Sequence, residues 1–300
     1  MITTFNTFIL ENNRIDTTTL SKDDVKRIIE ENCKDFDYND KKIYRGIYLE
    51  QNPYLIDPKK YHRLSANADN YYNMIVDNSI LWKDYPKRKH ALIGTLMYYQ
   101  AVPYGTVFRV IPFDGAKFGV VSQGDMWQSF DYLQSKTGID ELNYFDILID
   151  DFHQALFDEK KLNNLVYNIF VKQVKKIEDE IKKDPNGSSK KISQYYRGSY
   201  DDYVDFGRTG KEYYKKFFNY ISDQIVTKNK SLLSVLEDLL SPIRNGFEVL
   251  SYKGLLNKKV KTSGGVPEVW TDSKCILIPD SLMFDLNMRD LDITSNGLRI

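Results

Sequence analysis

The side chains able to do chemistry in this sequence are arginines and carboxylates, because the signatures of other catalytic centres are missing from it. The chain has 300 residues with three histidines and two cysteines. It contains no Gly-rich phosphate loop, no Cys/His metal spacing and no Gly-x-Ser-x-Gly elbow. One arginine is unusual, because Arg45 lies in an apolar strand candidate on the same face as Ile43 and Ile47. Arg45 is therefore the first residue to explain.

Further groups follow Arg45 in a distinctive order. Tyr44-Arg45-Gly46 precedes Leu92-Ile93-Gly94-Thr95, a strand candidate from 104 to 112, and acidic residues ahead of Ile276-Leu277-Ile278-Pro279. This ensemble resembles the Arg-Ser-Glu class of ADP-ribosyltransferases. In that class the first strand carries an arginine, the next a Ser-Thr-Ser motif and a late strand a catalytic glutamate. The resemblance covers residues 40 to 122 and roughly 245 to 285.

The resemblance implies that NAD is the substrate, without a metal, and it implies roles for individual residues. Arg45 would bind the pyrophosphate through its forked donors, while Tyr44 forms an aromatic wall and Gly46 allows close backbone approach. Thr95 matches the middle of the Ser-Thr-Ser motif. A glutamate would stabilise the positive charge that develops as nicotinamide leaves. The segment after the first strand, where the family often contacts NAD, supplies Arg63, Asn67 and Tyr71, although a capped helix N-terminus also explains them.

The position of the catalytic glutamate stays open. If residues 275 to 279 match the family's final strand, Cys275 takes the catalytic position and Ser273 the preceding acidic one, so both carboxylates are missing. Glu268, which follows the loop Ser263-Gly264-Gly265, is the first candidate if the strand begins earlier in the sequence. Glu248, in Phe247-Glu248-Val249-Leu250, is the alternative.

A second resemblance concerns the N-terminus. Residues 4 to 11 resemble the capsid-targeting tags of large contractile-tailed phages, in which a maturation protease cuts after Leu-x-Glu or Ile-x-Glu, and Ile9-Leu10-Glu11 fits that pattern. The block from 63 to 125 also resembles virion components of such phages. The expected locations are therefore the capsid interior and, after injection, the host cytoplasm. The expected partners are a host acceptor protein or phage capsid proteins.

Two functions agree with both resemblances. The first is a mono-ADP-ribosyltransferase, packaged and injected to modify a host protein. The second is an inactive virion structural or internal head protein with the same fold, which is favoured by the missing carboxylates at positions 273 and 275. Gly94 and Leu96 likewise replace the outer serines of the motif.

Composition argues against other partners. Lys plus Arg and Asp plus Glu both total 42, so no excess of positive charge indicates nucleic acid or an anionic membrane surface. No apolar run approaches the roughly 20 residues that span a bilayer. The basic run from 87 to 90 predicts a solvated turn, and residues 184 to 189 predict a poorly ordered loop.

The elements that must position the candidate residues change in type along the chain. Strand patterns dominate residues 40 to 122, helical patterns follow to 242, and strands return near 247, 266 and 275. The sequence therefore predicts an α+β fold with an ADP-ribosyltransferase-like core of two packed mixed sheets and a helical insertion. The expected divisions are a tag and linker at 1–20, core at 21–130, the insertion at 131–244 and the last core strands at 245–300.

Overall fold

A computed structural model describes residues 17–38, 40–61, 63, 70–158, 162, 166–199, 207–258 and 267–282. Both helices and strands are present, which confirms the prediction of a mixed α and β protein. The strands are β1 (Thr17–Thr19), β2 (Tyr44–Ile47), β3 (Tyr54–Ile56), β4 (Leu92–Thr95), β5 (Thr106–Pro112), β6 (Lys117–Val120), β7 (Glu248–Ser251), β8 (Glu268–Thr271) and β9 (Cys275–Pro279). The α-helices are α1 (Lys22–Asn32), α2 (Tyr71–Asn78), α3 (Tyr98–Ala101), α4 (Asp131–Thr137), α5 (Leu142–Phe157), α6 (Tyr167–Lys183), α7 (Pro185–Ser199), α8 (Gly207–Ser222), α9 (Leu232–Leu239) and α10 (Tyr252–Asn257).

The chain divides into two compact units. A β-rich unit comprises Met1–Ala66, Asp84–Asp125 and Glu248–Ile300, and a helical unit comprises Asn67–Lys83 and Met126–Phe247. The helical unit contains α2 and the segment Met126–Phe247, whereas the sequence predicts α2 in the core and an insertion at 131–244.

The β-rich unit is built on one sheet with the strand order β1-β3-β9-β5-β2-β4-β8-β6-β7. Every neighbouring pair among the described strands is antiparallel, so the expected mixture of parallel and antiparallel pairs is wrong for them. Between β2 and β4 the described residues share one paired position, Tyr44 opposite Thr95. The sheet is therefore nearly divided at this point.

The two faces of the sheet are both covered, as alternation along the central strands requires. On one side, Ile111 and Ile276 form a buried cluster with Val25 of α1. On the other, Phe108 and Leu277 belong to a larger buried cluster that also contains residues of α10. All five residues of β9 are buried, which explains why its sequence is an uninterrupted apolar run.

Three segments differ from the sequence prediction. Thr17–Thr19, expected to be linker, forms edge strand β1 against β3, and β3 itself lies within an expected loop. Asp184 to Ser189, expected to be a loop, begins α7: Pro185 is its first residue and the Asp184 side chain accepts the Gly187 N–H at 2.8 Å. A proline at the first helical position and an aspartate before it are favourable helix-start residues.

In the helical unit, α5 carries buried carboxylates that organise its neighbours. Asp146 accepts the Tyr72 N–H of α2 at 2.9 Å, and Asp150 accepts the Tyr71 O–H at 3.0 Å. The Glu178 carboxylate of α6 accepts hydrogen bonds from the ammonium groups of Lys175 and Lys182. It also accepts the N–H of Leu232, the first residue of α9. Among the described residues, no helix is both long and apolar enough to cross a membrane.

Candidate functional site

A cavity of about 400 Å³ lies in the β-rich unit where β2 and β4 separate. Its volume is within the range of small-molecule sites. The polar residues that line it include Arg45, Thr95, Gln100, Asp125 and Glu268. Aromatic lining comes from Tyr44, Tyr99 and Tyr104.

Three neighbouring strands bring the predicted catalytic residues to this cavity. Arg45 lies on β2, Thr95 ends β4, and Glu268 begins β8. Thr95 is the paired residue of Tyr44 on one side and of Glu268 on the other. Arg45, Thr95 and Glu268, which are far apart in sequence, are therefore all lining residues of one cavity. Because side chains alternate along a strand, the register places the Arg45 side chain on the sheet face of Phe108, and those of Thr95 and Glu268 on the face of Tyr44.

Glu268 is held by a buried arginine. Its Oε1 accepts a hydrogen bond from Arg88 Nη1 at 2.6 Å, and the two side chains are 13% and 2% exposed. The Arg88 guanidinium also lies 5.0 Å from the centre of the Trp270 ring. The prediction of a solvated turn is therefore wrong for Arg88, which begins a short 3₁₀ helix, Arg88–His90. Arg88 is buried, and its pairing with a carboxylate compensates its charge.

Thr95 connects the sheet to the segment that closes one side of the cavity. Its hydroxyl donates to Gln100 Oε1 at 2.6 Å and accepts the Met97 N–H at 3.2 Å. The following helix α3 approaches β2 so closely that a methyl group on Gly46 would overlap the Ala101 carbonyl oxygen. Gly46 thus permits the close packing of α3 against β2, and its expected approach to a ligand stays a prediction.

Tyr44 contributes an aromatic side chain at the division of the sheet. Its ring contacts that of Tyr98 edge-on, with centroids 5.6 Å apart. Partial burial raises the pKa of the Tyr44 phenol, and the negative charge of Asp280 raises it further. The phenol therefore stays protonated and can donate a hydrogen bond at neutral pH.

The chain matches no family model, no curated protein and no solved structure. The geometry of the side chains therefore carries the functional argument. Among the described residues, no group of three or more His, Cys, Asp or Glu could hold a metal ion.

Two other candidate carboxylate positions lie away from the cavity lining. Glu248 is exposed on β7, separated from β8 by β6, and pairs with Lys258 at 2.6 Å. Cys275 lies on β9 between β3 and β5, fully buried, and burial raises the pKa of its thiol far above the ordinary value. The strand paired with β4 beside Thr95 is β8, which carries Glu268.

The predicted contacts after the first strand are not gathered at the cavity. Tyr71 is in the helical unit, where its buried hydroxyl binds Asp150 and the Leu162 carbonyl, so it is a core residue and not a nucleotide contact. Arg63 is buried and absent from the cavity lining, and its N–H donates to the Lys89 carbonyl. Asn67 lies outside the described residues.

Sequence reasoning missed the residues that connecting segments supply. Gln100 and Tyr104 belong to the helical segment after β4, and Asp125 follows the turn after β6. Loops carry many binding residues, but strand and helix patterns do not identify them. Ser, Gly and Asp residues between 122 and 125 indicate a loop after β6, but they do not indicate that Asp125 lines a cavity.

Proposed function

We propose that this protein is an NAD-dependent mono-ADP-ribosyltransferase of a phage, packaged in the capsid and injected to modify a host protein. One observation supports the proposal most strongly. Arg45, Thr95 and Glu268 come from three adjacent strands and line a single cavity. Their order along the chain also follows that of the Arg-Ser-Glu class.

Each group has a task in the proposed reaction. Arg45 binds the pyrophosphate of NAD through two donors, which fixes the dinucleotide. The bond between nicotinamide and ribose C1′ breaks, and its electron pair leaves with nicotinamide. Glu268 stabilises the positive charge on the ribose. An acceptor side chain then forms a bond to C1′ and loses its proton, which gives ADP-ribosyl protein, free nicotinamide and one proton.

Binding is tested by thermal denaturation with and without NAD. NAD raises the melting temperature of the wild type, and Arg45→Gln removes this shift because the pyrophosphate loses its charged donor. Arg27→Gln is the matched control, since Arg27 is exposed on α1 and pairs with Asp24 and Glu31. A shift that survives Arg45→Gln in a variant that folds normally excludes the proposed pocket.

Catalysis is tested by incubating the protein with labelled NAD and host lysate. The wild type labels a discrete band, and Glu268→Gln removes it because a neutral amide stabilises the transition state poorly. Glu248→Gln, which changes an exposed carboxylate outside the cavity lining, keeps the band. Loss of the band with Glu248→Gln alone would transfer the catalytic assignment to that residue.

The alternative function is an inactive virion structural or internal head protein with this fold. It is favoured by Ser273 and Cys275, which stand where the resemblance implies carboxylates, and by Gly94 and Leu96, which offer no hydroxyl beside Thr95. A wild-type protein that neither binds NAD nor labels any lysate protein supports this alternative.

The particle location rests on residues 4 to 11, which lie outside the described residues. Mass spectrometry of the protein recovered from virions checks this location. The expected mature N-terminus is Asn12, and an intact N-terminus contradicts processing of the tag.

A further inference from the structure

The buried ion pair between Arg88 and Glu268 is more than an incidental contact of the cavity. We infer that Arg88 is a positioning residue that holds the Glu268 carboxylate in the orientation needed at the cavity. The inference rests on the proposed function only for its catalytic consequence. The geometric part, that Arg88 determines the conformer of Glu268, stands on the contacts of the β-rich unit alone.

The ion pair between Arg88 and Glu268 is short and buried. The Nη1–Oε1 distance is 2.6 Å and the Arg88 side chain is 2% exposed. An exposed ion pair constrains its members weakly, because water competes for both charges. A buried charge, by contrast, strongly requires its partner, so Glu268 is held far more firmly than a carboxylate at a strand end would be by itself.

Arg88 is itself held in place by a contact with Trp270. Its guanidinium faces the Trp270 ring at 5.0 Å, a cation–π distance. The Trp270 indole N–H donates to the Pro86 carbonyl at 2.9 Å, and its ring stacks on Tyr85. On the sheet, a methyl group on Gly119 would overlap the indole. These contacts restrict the indole, which lies against the Arg88 guanidinium.

The Glu268 carboxylate has acceptor sites beyond the one that binds Arg88. A carboxylate has two oxygens and about four acceptor sites, and the Arg88 bond uses Oε1. The carboxylate therefore keeps acceptor capacity for a ribose hydroxyl. With Arg88 absent, the side chain of Glu268 gains rotamers, and misplacement of a catalytic group by about 1 Å can lower a rate by about 10²-fold.

The experiment compares wild type, Arg88→Met and Arg88→Lys in the full chain. Methionine fills much of the space without a charge, and lysine keeps the charge but lacks the planar guanidinium with its several donors. We expect Arg88→Met to lower kcat about 10²-fold while KM for NAD changes little, because Arg45 is untouched. Arg88→Lys recovers part of kcat, and so does methylguanidinium added to Arg88→Ala. Arg109→Met is the control: it removes the ion pair with Asp280 and leaves kcat near that of the wild type.

Every outcome decides the inference. If the wild type is active and Arg88→Met keeps its kcat, or if KM alone rises, Arg88 is not a positioning residue although the transferase function stands. If the wild type is inactive with NAD, the proposed function fails and crystal structures of the wild type and Arg88→Met decide. The inference predicts that the Glu268 carboxylate leaves its position in the variant, and an unchanged Glu268 conformer overturns it.

Discussion

Gly46 shows how closely the cavity wall approaches the sheet. A Cβ atom there would overlap the Ala101 carbonyl oxygen and lie 2.9 Å from Tyr104 Cβ. We expect Gly46→Ala to lower the free energy of unfolding by about 1–3 kcal/mol, the usual cost of overpacking, and to weaken NAD binding. Gly254→Ala is the control, since Gly254 lies in α10 with more room and alanine favours helices. Chemical denaturation of both variants measures the difference, and equal stabilities contradict the close approach.

At the residue scale the sequence predicts some cavity residues well and others poorly. Arg45 is recognisable because a charged residue interrupts an apolar strand face, and that interruption is a local signal. The partnership of Arg88 with Glu268 spans 180 positions. Within the run from 87 to 90, no local pattern distinguishes the buried basic side chain from solvated ones, so its role emerges only from the pairing of β4 with β8.

At the element scale, α1 is the clearest case in which local chemistry determines the structure. The Ser21 hydroxyl accepts the Asp24 N–H at 3.1 Å, and Asp24 accepts the Ser21 N–H at 3.3 Å, which forms a capping box. We expect Ser21→Ala to lower the free energy of unfolding by about 1 kcal/mol, because the first turn loses a side-chain acceptor. Ser234→Ala, inside α9, is the control. Urea denaturation of the two variants tests this, and equal losses would contradict the capping role.

The same capping box makes a pH prediction. Hydrogen bonds from Ser21 and Arg27 lower the pKa of Asp24 from its ordinary value near 3.8. A carboxylate with a lowered folded-state pKa contributes stability above its unfolded pKa, and this contribution is lost as the pH falls below it. The stability difference between wild type and Asp24→Asn should therefore be largest near neutral pH and shrink in acid, below about pH 4. Urea denaturation at several pH values measures it, and a difference independent of pH refutes the linkage.

The elements that sequence reasoning missed are short or begin with ambiguous residues. Strand β3 has three residues and lies between Pro53 and Pro58, so its flanks predict a loop. Its strand character comes from pairing with β9 and β1, which are distant in sequence. At α7 the Asp184-Pro185 pair predicts a turn as readily as a helix start, and the residues that follow, Asn, Gly and two serines, are poor helix formers.

At the scale of the whole molecule, the sequence predicts the class of fold because the change from strand to helical patterns is long and regular. It does not predict the order of the strands. Strand β2 pairs with β5, and β4 pairs with β8, although the residues of the helical unit separate β4 from β8 in the sequence. Such pairings depend on packing between distant segments, for which a single sequence offers no local signal. The assignment of α2 to the helical unit escapes prediction for the same reason.

The final prediction concerns where NAD acts in the whole chain. The described residues that line the cavity all belong to the β-rich unit. Hydrogen exchange followed by mass spectrometry should therefore show NAD-dependent protection in peptides covering 44–47 and 92–104. Protection follows because a bound ligand lowers the population of locally opened states. Arg45→Gln should abolish this protection, while Arg27→Gln should retain it. Protection confined to peptides of α5 and α6 would place the ligand in the helical unit and contradict the assignment of the cavity.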